Sequence, residues 1–80
     1  MIKKPNVSLP ASVKKIMPSM HPGDPEKAEI HVHGADPLYE EIRIENSLKD
    51  ENGEEVRLKE GAKVKVTVEA LPHATTPKHP

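Results

Sequence analysis

Five histidines and no cysteine define the metal and redox chemistry open to this chain. His31 and His33 alternate with Ile30 and Val32 in KAEIHVH, so an extended backbone puts both imidazoles and Glu29 on one strand face. Histidines two apart on one face can reach a common divalent ion, which makes His31 and His33 the candidate metal ligands. Zinc requires four filled positions, and Glu29 and His33 stand about 13 Å apart along a strand at ~3.3 Å per residue. The three therefore do not close around an ion unaided. Glu41, Arg43 or Glu45 of a neighbouring strand, or the histidines of a second copy, would have to join them, and two solvated strand histidines is the simpler reading. His21, His73 and His79 fall in proline-rich segments with a weaker claim.

Other catalytic groupings are absent from the pattern. Glu40-Glu41 and Glu54-Glu55 each split across two strand faces, whereas acid–base work needs a carboxyl held in a cleft with a shifted pKa. Ser8, Ser12, Ser19 and Ser47 lack a nucleophile-elbow context, and the four glycines are scattered rather than gathered into a phosphate loop. The expectation is a protein that is not an enzyme and carries no cofactor. Arg57, Lys59, Lys63 and Lys65 could share the wet face of a final hairpin and attract phosphate. With no Phe or Trp and a single Tyr there is no stacking platform for single-stranded nucleic acid, so a DNA-binding surface is the less favoured alternative.

The elements that would position these residues are strands. In EEVRLKEGAKVKVTVEA, residues 54–70, Val56 and Leu58 and then Val64, Val66 and Val68 alternate with polar residues, the period of a half-buried strand. Ile30 and Val32, then Ile42 and Ile44, repeat the pattern. The expected strands are 27–34, 38–49, 54–59 and 63–70, with a core of Ile30, Val32, Leu38, Ile42, Ile44, Leu48, Val56, Leu58, Ala62, Val64, Val66 and Val68. Asn52-Gly53 signals a hairpin. A two-residue loop would set Leu48 against Arg57. A three-residue loop, 51–53, with Gly53 left-handed sets Leu48 against Val56 and Lys49 against Glu55, which suits both faces. The fold class is all-β, a small antiparallel sheet or partly open barrel of about four strands.

Proline bounds that module. Pro5, Pro10, Pro18, Pro22 and Pro25 precede residue 27, Pro72, Pro77 and Pro80 follow residue 70, and only Pro37 lies between. Proline removes a ladder donor and is disfavoured inside sheets. Residues 1–26 read as a flexible basic arm and linker, 27–70 as the β module, and 71–80 as a disordered tail. In the arm, Ser12 could cap one helical turn that aligns Val13, Ile16 and Met17 at i, i+3, i+4 before Pro18 stops it; the alternatives to a free arm are a segment packed on the sheet or paired with its edge, and a docking peptide. Val13, Ile16 and Met17 are the candidate partner-binding residues.

The core is thin for so short a chain and has no disulfide to support it. Self-association is the expected remedy, so the chain is expected to be a homodimer or to bind another protein. No apolar run is long enough to span a bilayer and no secretory signal is visible, which leaves a cytoplasmic location as the default expectation.

The run from Asn52-Gly53 through Leu58-Lys59-Glu60-Gly61-Ala62-Lys63-Val64-Lys65-Val66 resembles the end of small bacterial β-rich antitoxins and of swapped-hairpin transition-state regulators. It lacks the antitoxins' proline-leucine insert and the regulators' preceding basic strand. An L-x-x-G-x-x-V-x-V pattern accompanies any reversal into a half-buried strand, so no residue role is carried over. The leading expectation is a non-enzymatic protein-interaction or assembly module, with a small DNA-binding regulator or antitoxin-like dimer, and a metal binder through His31 and His33, as the alternatives.

Overall fold

A computed structural model describes residues 4–38 and 40–78. Residues 1–3 of the expected arm, Tyr39, and His79 and Pro80 of the expected tail lie outside them. Every regular element among the described residues is a strand: β1 Asn6–Met17, β2 Lys27–Val32, β3 Glu41–Glu45, β4 Leu48–Lys49, β5 Glu55–Val56 and β6 Lys63–Glu69. Four of them form an antiparallel sheet in the order β3-β2-β1-β6 that curves into a half-barrel, and β4 and β5 form a separate hairpin. The all-β class agrees with the sequence, but one of the four sheet strands is β1 in place of the expected 54–59, which is reduced to β5 in the separate hairpin, and the expected 38–49 is split into β3 and β4.

The principal correction concerns β1. Residues 6–17, expected to be a flexible arm with one helical turn at 12–17, form a twelve-residue strand lying between β2 and β6. Its alternation runs through Val7, Leu9, Ala11 and Val13. A bulge between Val13 and Lys15 then inserts one residue, so that Ile16 pairs with Ala28 and returns to the core face. A bulge turns the strand step of two into a step of three, which mimics helical spacing.

Pro10 is accommodated by where its backbone points. Its carbonyl accepts from His33 N at 2.9 Å, so the missing N–H falls on the β2 side, one position beyond the last β2 pair, Ala11 with Val32. Toward β6, Pro10 faces Lys65 at a position where neither residue donates to the other, so the ladder to β6 loses nothing, and the one bond forgone is the return bond to His33 at the end of β2.

Among the described residues Ala11, Val13, Ala28, Ile30 and Val32 are the buried apolar ones, with Leu9, Ile16, Ala35, Ile42, Leu58, Ala62, Val64 and Val66 packed around them. Two of the five are alanines, and the Cα radius of gyration, 15.5 Å, exceeds the about 12 Å of a compact domain of this length. Of the expected core, Leu38 is instead 83% exposed, in a turn where its N–H bonds Asp36 Oδ1. Ile44, Leu48, Val56 and Val68 lie on the exposed rim.

The Asn52-Gly53 hairpin has the expected register, Leu48 with Val56 and Lys49 with Glu55. Gly53 is left-handed at φ 80, and Asp50 Oδ1 accepts from the N–H groups of Asn52 and Glu54. The next reversal, at 59–62, forms as well, with Ala62 N–H donating to Lys59 O. It does not pair the strands on either side of it. β5 stays with β4, while β6 lies along β1.

Candidate functional site

Two features of the sheet present groups capable of recognition: a polar cluster on β2 and β3, and the outer edge of β6. The cluster arises because Glu29 and His31 on β2 face Arg43 and Glu41 on β3 in direct cross-strand register. His31 Nε2 is 3.3 Å from Glu29 Oε2 and 3.8 Å from Glu41 Oε2. A carboxylate only accepts, so Nε2 carries the proton it gives to Glu29. Arg43 Nη2 lies 2.9 Å from Glu41 Oε1 and 3.5 Å from Glu29 Oε1. Glu29 is 8% exposed. Burial pushes its carboxyl upward, but the His31 hydrogen bond and the charges of Lys15 and Arg43 outweigh that, and its pKa is lowered.

Glu29, His31 and Glu41 place ligand atoms within 4.8 Å of one another, so β3 supplies the carboxylate that the strand spacing required. His33 goes elsewhere: its Nε2 is 3.4 Å from Ser12 Oγ on β1. The structure therefore corrects the expected His31/His33 pair, because the two rings lean toward opposite neighbouring strands. Arg43 already supplies a cation to both carboxylates of the cluster, and a metal would have to displace it.

The remaining candidates are dispersed. Val13, expected to dock a partner, is 2% exposed. Ile16 packs against the core, and Met17 lines a small surface groove with Pro18, Met20, Asp24, Pro25 and Lys27. Once residues 6–17 form a central strand, Val13 and Ile16 belong to the interior. The four cations do not share a hairpin face, since Arg57 and Lys59 follow β5 whereas Lys63 and Lys65 lie on β6. Arg57 Nη1 is 3.7 Å from Glu26 Oε2.

Sequence reasoning missed Asn46, which is 4% exposed. Its amide bonds Glu26 Oε1 and both backbone groups of Leu58, and so holds the segment after β5 onto the sheet. No local pattern marks such a contact.

The edge of β6 is the other feature. Pro5 O accepts from Ala70 N–H, and Ala62 O accepts from Val13 N–H, so the even-numbered residues of β6 bond to β1. Antiparallel pairs alternate in this respect, and the N–H and C=O groups of Lys63, Lys65, Thr67 and Glu69 consequently point away from the sheet. β6 is a terminal strand, and no backbone hydrogen bond among the described residues reaches that side. On the apolar face behind it, the cross-strand pair Val7 and Val68 is 51% and 60% exposed.

No family model, curated protein or solved structure matches this chain. The resemblance to antitoxins and transition-state regulators gains no support from these comparisons. Among the described residues no helix is long and apolar enough to cross a membrane.

Proposed function

We propose that this chain is a non-enzymatic interaction or assembly module that binds an extended protein segment by strand addition at β6. The observation that carries this reading is the seven-residue terminal strand with one complete row of outward backbone groups, beside an apolar face left open at Val7 and Val68. Exposed edges of this kind template added strands. The test is site-specific photocrosslinking in the cells that make the protein, with a benzophenone residue at position 65 in β6 or, as control, at position 49 in β4. A discrete protein adduct from 65 and none from 49 is expected. Equal labelling from both positions, or none from either, would overturn the reading.

A further inference from the structure

We infer that the strand added at β6 is β6 of a second copy of this chain, antiparallel and centred on Val66. The inference rests on the strand-addition reading and names the partner.

Backbone parity, charge and strand length together select this register. The outward backbone groups belong to the odd-numbered residues, so only registers that place odd opposite odd can form a ladder. Those registers also keep Val64, Val66 and Val68 on one face in both copies. Charge removes two of them and length a third. Centring on Val64 sets Lys63 against Lys65, and centring on Lys65 sets that lysine against itself. Centring on Thr67 sets Lys65 against Glu69 twice but leaves Lys63 unpaired and forms three bonded pairs where Val66 forms four. Centring on Val66 sets Lys63 against Glu69 twice, Lys65 against Thr67 twice, and Val64 against Val68 twice. It uses the full strand, with about eight main-chain hydrogen bonds at two per bonded pair. It also continues the apolar face past the half-exposed Val68. Glu69 already lies 4.0 Å from Lys4 within the chain, an exposed pair that leaves it free to meet a second cation.

The opposite edge is guarded against the same event. The bonds Glu40 O with Val32 N–H and Asn46 N–H with Glu26 O show that Glu41, Arg43 and Glu45 are the outward residues of β3. Full-length self-pairing there would set Glu41 against Glu45 and Arg43 against itself, and like charges opposite one another oppose pairing. Association therefore closes at two copies instead of running on as a filament.

The test is sedimentation equilibrium of the full chain over a concentration series, with circular dichroism to check folding. Lys63→Glu and Glu69→Lys should each weaken dimerisation about tenfold, since each reverses two cross-strand pairs. The double variant Lys63→Glu/Glu69→Lys should restore it. Rescue by Lys65→Glu/Glu69→Lys instead would move the axis to Thr67 and overturn the register. A folded wild-type monomer at every concentration would overturn self-pairing. In that case an adduct from position 65 to a different protein would still uphold strand addition, so the two failures are separable.

Discussion

The side-chain amide of Asn46 closes on both backbone groups of Leu58, accepting from its N–H at 2.7 Å and donating to its carbonyl at 3.2 Å. Its Nδ2 also donates to Glu26 Oε1 at 2.9 Å. One buried side chain thus does for residue 58 what a neighbouring strand would do, and Leu58 is brought against the core. Asn46→Ala leaves these groups without partners and should destabilise the protein by about 1–3 kcal/mol, read as a lower urea midpoint with a large shift of the Leu58 amide resonance. An unchanged midpoint would show that the segment after β5 is held by something else.

Residue 13 tests whether the amino-terminal segment is a strand or an arm. Val13→Ala removes buried methyl groups and should cost about 1–3 kcal/mol. Met20→Ala, at a side chain 80% exposed, should stay within about 0.5 kcal/mol. Equal, small effects at both positions would return residues 6–17 to the status of a flexible arm.

Proline placement makes a sharper contrast. Pro10→Ala restores an N–H that faces the end of β2, and stability should change by no more than about 1 kcal/mol. Ala11→Pro removes a bond from the ladder to Val64 in the central strand and should cost about 3 kcal/mol or more, enough to unfold a domain with so small a core. Thermal melts of the two variants decide it. Similar melting temperatures would mean that the backbone parity assigned to β1 is wrong.

These residues also show what the sequence could reveal. The alternation of Ile30/Val32, Ile42/Ile44 and Val64/Val66/Val68 is uninterrupted, and β2, β3 and β6 are legible from it. The hairpin register is legible because only a three-residue loop with Gly53 left-handed sets Leu48 against Val56 and Lys49 against Glu55. β1 was hidden twice over, by a proline whose missing donor happens to face past a strand end and by a bulge that spaces Val13 and Ile16 like a helix. The pairing of β6 with β1 instead of β5 could not be read locally, because both partners offer the same apolar alternation. For the candidate site, Glu29, His31 and Glu41 were each visible as polar-face residues. That His33 turns to Ser12 depends on which strand lies beside it.

The polar cluster predicts how stability varies with pH. Glu29 has its native pKa lowered below the ordinary 4.5, so its ionised form is the one the fold favours. The stabilisation it brings is complete above that ordinary value and is lost as pH falls through the lower, native value. Glu29→Gln should therefore melt below the wild type at neutral pH, and the gap should narrow as pH is taken below 4.5. Arg43→Gln, which takes away the guanidinium 3.5 Å from Glu29, should move the narrowing to higher pH. Melting curves from pH 7 to pH 2 measure both. A gap that widens on acidification would mean that burial, and not His31, Lys15 and Arg43, sets the charge of Glu29.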